Sequence, residues 1–419
     1  MYYMRKTAII SIQNMGYTKS AIKGVSWMSA FRMTSRFLAF IKIAVLARVL
    51  TPSQFGIFGI ASLLLIFLQI LTETGINVIL VQTKDTIEKY LDSAWVMSIF
   101  RGIIIFLVIV VSAPFVASFF KTPAALNIIL LISLAPLIGG FINPAEVKFQ
   151  KDLNFHYEFW FRIILFATDA IVSITIALIT HSVYSLAFGL LAGVILELIL
   201  SFFFIKPTPK LKFDTSYIKE IFHKGKWVTA YGIFNYFGEN GDNIVVGRIL
   251  GASILGLYQM AYKVSFIPIS EISDVVNKVI FPVYAKIEGD RKRLLSAFLK
   301  TTGLITILTV IAGIIIFLFP SEIISILLGS QWIGAAPVLR VLAIYGILRA
   351  ALGPASAMFL AAGKQNYITL TTFVRFAALL VTIYPFVLKY QMMGAGFSAL
   401  ISALAEVPVI IFLIIRMSR

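Results

Sequence analysis

Arg32, Arg36 and Lys42 stand in the run Phe31–Leu50, where a membrane-crossing helix should be apolar. At ~100° per residue they fall within roughly a third of the helical circumference, and that helix carries no acid. On insertion scales each cation costs roughly 2.5–3.5 kcal/mol at the centre of a spanning helix, so each must face a partner, a cavity or an interface. Guanidinium forks and an ammonium on one stripe suit phosphate oxygens, which makes a polyanion the implied cargo. Arg101, Arg349 and Arg375 also lack an acid in their own helices. They either extend this cationic set or pair with Glu73, Glu197 or Glu406 on neighbouring helices. Other intramembrane cations have local explanations: Arg162 with Glu158 and Asp169, Lys278 with Asp274, and Lys300 by reaching to the membrane surface.

A second constellation lies 200 residues downstream. The segment Leu46–Ala61 recurs as Val246–Ala261, with Arg48, Leu50, Gly56 and Ala61 matching Arg248, Leu250, Gly256 and Ala261. At this offset Arg36 becomes Tyr236 and Lys42 becomes Asp242. Asn235, Glu239, Asp242 and Asn243 then form one polar stripe at helical spacing. Carboxylates and amides there can bind Na⁺ through oxygen or carry H⁺. The alternative is that Glu239 and Asp242 neutralise the helix-one cations across a cleft.

The elements that position both stripes must be transmembrane helices. The 419-residue chain is 59% hydrophobic and only 13% charged, well below the quarter expected of a soluble domain. Runs of about 20 apolar residues recur to the end of the sequence, and about twelve such helices are expected. The fold class expected is therefore all-α polytopic, with two six-helix lobes related by a parallel pseudo-two-fold repeat around a central cleft. A second match supports the repeat: Asn143-Pro144-Ala145 followed by Phe149 pairs with Gly353-Pro354-Ala355 followed by Phe359. The expected division is 1–23 as a cytoplasmic lead-in, 24–205 as the N-lobe, 206–224 as a cytoplasmic linker and 225–419 as the C-lobe. Prolines 136, 144, 268, 354, 385 and 408 are expected to kink their helices.

Most of the 36 lysines and arginines fall in alternate loops and at both termini, which predicts cytoplasmic termini and accounts for most of the +17 charge. A nucleic-acid partner is therefore not expected. The sequence has no cysteine, and its three histidines are scattered, so no metal-ligand pattern is present. No Gly-x-x-x-x-Gly-Lys motif occurs, which argues against direct drive by ATP. No cofactor is expected beyond Na⁺ or H⁺ as a coupling ion, and no enzymatic activity.

Several stretches resemble a known family. Leu46–Ala61, Thr74-Gly75-Ile76 with Val81–Asp85, Phe281-Pro282 with Asp290-Arg291, and Gly329–Trp332 with Ala336–Leu339 are similar to segments of bacterial polysaccharide exporters. These are the O-antigen and teichuronic-acid type flippases of the multidrug/oligosaccharidyl-lipid/polysaccharide superfamily. The resemblance implies a monomeric inner-membrane flippase for undecaprenyl-pyrophosphate-linked oligosaccharide, working by alternating access beside a polymerase and glycosyltransferases. Ser35-Arg36, Lys42 and Ala47-Arg48 also resemble the first helix of lipid II flippases, whose cations there are thought to engage pyrophosphate. A further cation of those proteins has no match, since Gln69 stands near its place. Superfamily members often bind a coupling cation through an acid on helix seven, which points to Asp242 or Glu239. A multidrug/cation antiporter of the same superfamily is the alternative, but its cleft should be acidic or apolar. A membrane glycosyltransferase or polymerase would need catalytic acids or large outer loops.

Overall fold

In lipid no water satisfies a bare peptide group, so apolar runs of this length close their hydrogen bonds within helices. The computed structural model describes residues 2–72, 87–212 and 215–418. Side-chain surroundings are described from residue 26 onward, outside 89, 215–231, 267–268, 274–275, 278–279 and 418. Glu73, the segment Thr74–Asp85 and the Lys278–Asp274 pairing lie outside the described residues.

Every regular element among the described residues is helical. Besides two short 3-10 turns, Pro144–Val147 and Ser330–Ala335, the α-helices in chain order are α1 (Tyr2–Val49), α2 (Pro52–Leu71), α3 (Glu88–Phe119), α4 (Ala125–Ile132), α5 (Leu134–Gly139), α6 (Lys148–Lys151), α7 (Phe155–Thr180), α8 (Tyr184–Phe204), α9 (Thr215–Lys286), α10 (Arg291–Leu318), α11 (Pro320–Leu327), α12 (Ala336–Ala361) and α13 (Gln365–Ser418). Among the described residues eight helices are long and apolar enough to cross a membrane, or nine if a bent pair counts as one span. That pair joins Ala125–Gly139 to Pro144–Lys151 at 72°. Pro144 therefore breaks its span rather than merely kinking it, and Asn143 caps the turn by accepting from the Ala145 amide at 2.9 Å. Pro354, Pro385 and Pro408 sit inside helical segments, as does Pro114.

Three helices exceed a single crossing: α1, with 48 residues, and two that carry an internal break. α9 has 72 residues and α13 has 54, against the ~20 that span ~30 Å of hydrocarbon. Each contains one non-helical residue: Gly251 (φ 83°, ψ 175°) in α9 and Gln391 (φ 52°, ψ −132°) in α13. The Gly251 conformation is open essentially to glycine alone. The first repeat makes the same corner another way. Thr51 Oγ1 accepts from the Gln54 amide (3.3 Å) and Gln54 Oε1 accepts from the Thr51 amide (2.8 Å), with Pro52 opening α2. This reciprocal cap satisfies two amides that the helix start leaves bare.

The chain forms two compact units that do not follow the linear order. Unit one holds 1–50, 64–114 and 126–233; unit two holds 51–63, 115–125 and 234–419. The core of unit one joins Leu91, Ala145, Phe161 and Ile205, and that of unit two joins Tyr284, Leu294, Met358 and Leu413. Large apolar side chains such as Val111, Phe115, Phe203 and Val381 are instead exposed, while Ser173, Ser185, Thr309 and Ser398 are buried. That inversion of the soluble pattern is what a hydrocarbon solvent demands.

Candidate functional site

In unit one the cationic stripe of α1 is present, and its members differ in their surroundings. Arg36 is exposed, whereas Arg32 and Lys42 are half-buried. The Lys42 ammonium donates to both carboxylate oxygens of Asp169 on α7, at 2.7 Å each. Ser173, one turn further along α7, donates to the same carboxylate at 3.3 Å. Space for this pair comes from α8: a Cβ on Gly189 would sit 2.7 Å from both the Asp169 carbonyl and its Oδ1.

Asp169 is thus the counter-ion of helix one, and the expected pairing of Asp169 and Glu158 with Arg162 does not form. Arg162 bridges instead to Glu197 on α8 and to Glu146 (3.3 Å) in the turn Pro144–Val147, while Glu158 accepts from Gln150 (2.9 Å). Spacing along one helix could not reveal this, because a guanidinium reaches between helices as easily as along one. Arg101 donates to the carbonyl of Gln69 (2.7 Å) and to Thr72 Oγ1 (3.1 Å), which fixes it at the end of α2. Gln69 therefore contributes a backbone acceptor to this arginine.

Unit two holds the acidic stripe on α9. Asp242 is buried, Glu239 is exposed, and Asn235 and Asn243 are half-buried. The Asp242 carboxylate accepts from the Tyr258 hydroxyl (2.7 Å) through one oxygen and from the Asn243 amide (2.7 Å) through the other. Tyr258 lies beyond the Gly251 corner, so only the return of the chain brings the two together. Arg349 on α12 and Arg375 on α13 converge on Glu406, at 3.4 and 4.0 Å, and Arg375 also approaches Glu239 at 3.9 Å. Arg375 and Glu406 are buried. A buried charge needs a partner, and this network supplies one to each member. Beside it Tyr262, Phe266 and Tyr345 form a ring cluster with centroids 5.0–6.1 Å apart. No group of three His, Asp or Glu among the described residues could hold a metal ion.

The two repeat copies touch directly in unit two. A Cβ on Gly56 would strike the Ala252 carbonyl, and one on Gly256 would strike the Pro52 carbonyl. Residues 52 and 252, like 56 and 256, correspond in the repeat, so the contact is reciprocal. Gly59 likewise faces its own counterpart, Gln259. Tyr236, which replaces Arg36 in the second copy, is buried and donates to the Leu63 carbonyl at 2.8 Å. Arg248 donates to the Phe119 carbonyl at the end of α3.

Comparison with known proteins places this arrangement. Residues 45–337 match the family described as polysaccharide biosynthesis protein. The teichuronic acid biosynthesis protein TuaB of Bacillus subtilis is 27% identical over 354 residues, covering 83% of this chain and 73% of that protein. Among solved structures, the lipid II flippase MurJ in an inward closed conformation superposes with a TM-score of 0.77 at 14% identity, over 93% of this chain and 88% of that one. An inward-facing multidrug resistance MATE family transporter superposes with a TM-score of 0.69, also at 14% identity, over 94% and 98%. These two likenesses establish the transporter fold. With the family match spanning more than half of its length, this multi-pass membrane chain belongs to the polysaccharide biosynthesis protein family.

Proposed function

We propose that this chain is a flippase for undecaprenyl-pyrophosphate-linked oligosaccharide, moving repeat units across the bacterial cytoplasmic membrane by alternating access for cell-surface polysaccharide. The observation that carries this reading is the stripe of α1, where an apolar helix exposes Arg36 and holds Lys42 on a single counter-ion. An exporter of lipid-linked sugar needs cations at membrane depth for the pyrophosphate, whereas an exporter of cationic drugs does not. The name of the teichuronic acid relative and the lipid II flippase fold point the same way. The reading uses Arg32, Arg36 and Lys42 to hold pyrophosphate and leaves the prenyl chain in lipid. Arg101, Arg349 and Arg375 are the further headgroup cations of this reading, each also holding a partner in its own unit. Asn235, Glu239, Asp242 and Asn243 would carry the coupling Na⁺ or H⁺.

The proposed topology has twelve passes with both termini cytoplasmic, counting α1 as a pass, α9 and α13 twice at their breaks and the bent pair once. The chain acts as a monomer, supplied by glycosyltransferases and drained by a polymerase. The reading requires no catalytic group. It is tested by expressing the chain in a bacterium whose own exporter has been deleted. Export should return with the native sequence and fall at least tenfold for Arg36→Ala at equal membrane insertion; normal polymer from Arg36→Ala would sink the cargo site. Glu239→Gln with Asp242→Asn tests coupling, and transport unchanged in sealed vesicles under every ion gradient would remove the acidic stripe from the mechanism.

A further inference from the structure

Unit two contains a further cationic site, lined by none of the residues of either stripe. A cavity of about 580 Å³ opens where the α9–α10 turn, the α12–α13 turn and the end of α13 meet. That volume is in the range of small-molecule sites, ~300–1,000 Å³. Three cations from three separate segments line it: Arg291 opening α10, Lys364 before α13 and Arg416 in the last turn of α13. None of the three has an ion pair among the described residues. Asp290, the acid next to Arg291, is already engaged: it accepts from the Arg293 amide (3.1 Å) and pairs with the Arg293 side chain (3.1 Å). Glu288 is the single acid lining the cavity, which therefore keeps a net positive charge.

The opposite wall is apolar. Leu294 and Met358 belong to the buried core of unit two, and Ile414 and Met417 pack against it. Cations that orient a membrane chain need only lie near the ends of its spans. These three also share a cavity with an apolar floor at the ends of spanning helices.

We propose that this cavity binds the headgroup of an anionic phospholipid, with phosphate held by Arg291, Lys364 and Arg416 and the glycerol and upper acyl carbons against Leu294, Met358 and Ile414. A hydrophobic wall beside unpaired cations matches an amphiphilic phosphate, and basic pockets between helix ends are known lipid-headgroup sites. A free phosphate would use the cations and leave the apolar wall wet. The site does not depend on the flippase reading, and its test uses no cargo.

The test takes the purified full chain in non-ionic detergent and adds phosphatidylglycerol, phosphatidylcholine or inorganic phosphate. Thermal unfolding and native mass spectrometry are then read together. Phosphatidylglycerol at about 100 times its dissociation constant should raise the midpoint by several degrees and give one retained lipid adduct. Phosphatidylcholine and inorganic phosphate should do neither. The triple variant Arg291→Gln/Lys364→Gln/Arg416→Gln should lose both signals with unchanged helicity. If that variant does not fold, Lys364→Glu alone should weaken the adduct several-fold and Glu288→Gln should strengthen it. An equal shift with phosphatidylcholine or phosphate, or an adduct held as tightly by the triple variant or by Lys364→Glu as by the native chain, would overturn the proposal.

Discussion

The two copies of the repeated segment, residues 31–61 and 231–261, share a scaffold and carry opposite charge. In both, a tight corner separates two helices and a glycine five residues on admits the partner copy's backbone: Gly56 against Ala252, Gly256 against Pro52. In the first copy the helix before the corner exposes Arg36 and ties Lys42 to Asp169. In the second the matching positions are Tyr236, bonded to a carbonyl, and Asp242, bonded to Tyr258 and Asn243. What the copies share is shape, where a glycine and a corner leave no latitude. Where they differ is charge, and charge at membrane depth is too costly to keep without a use or a partner.

The comparison breaks most sharply at the reciprocal glycine contact. Gly56→Leu or Gly256→Leu drives a side chain into a backbone carbonyl that cannot move aside, and each should cost about 3 kcal/mol or more. Thermal unfolding in detergent checks this against Gly238→Ala, whose Cβ would meet nothing within 4 Å and should leave the midpoint almost unchanged.

Next in size is the Lys42–Asp169 pair, with side chains 18% and 24% exposed. Asp169→Leu strands the ammonium and should cost about 2 kcal/mol, less than the ~3–5 of a fully buried pair because water reaches it. Adding Lys42→Met should restore most of that loss. A double-mutant cycle measures the coupling, and a coupling near zero would show that Asp169 is not the counter-ion.

The two corners then separate by mechanism. Gly251→Ala forces a side chain into a glycine-only conformation and should destabilise by about 1–3 kcal/mol. Thr51→Ala removes half of the reciprocal cap and should cost about 1 kcal/mol. Thr51→Ser should recover that loss, whereas no side chain at 251 should.

The smallest effect lies outside the membrane. At the start of α3 the backbone amide of Glu88 holds its own carboxyl below the usual carboxylate range, and Lys148 at 3.5 Å adds to this. A carboxyl depressed on folding contributes stability above its unfolded pKa and loses it as pH falls through the folded value. Glu88→Gln should therefore change the midpoint only slightly at pH 7 and not at all at pH 3. A surface pair of this kind is weak and fades with salt.

Much of this was legible before any coordinates. Apolar run lengths gave a helical membrane protein, and the ungapped offset of 200 gave the corner that both copies use. The stripes on α1 and α9 followed from helical spacing. Partner choice was not legible. Arg162 had two acids at convenient spacing on its own helix and bonds instead to Glu197 and Glu146, while one of the two it passed over, Asp169, holds Lys42. Glu406 was one of three acids offered as partners for Arg101, Arg349 and Arg375; that Arg349 and Arg375 both meet it was not legible.

By itself the sequence determined the solvent this chain folds in, the helical state of its elements, and which helix carries cations and which carries acids. Those properties depend on residue type and local period, and a hydrocarbon solvent enforces them one segment at a time. Only the tertiary structure decided which charges find a partner and which stay open: Lys42 is neutralised by Asp169 and Asp242 is hydrogen-bonded by Tyr258, with Arg291, Lys364 and Arg416 left around a shared cavity. The reason is range. A charge–charge contact holds only over a few ångströms, and the residues within that distance come from remote parts of the chain, set by how helices pack.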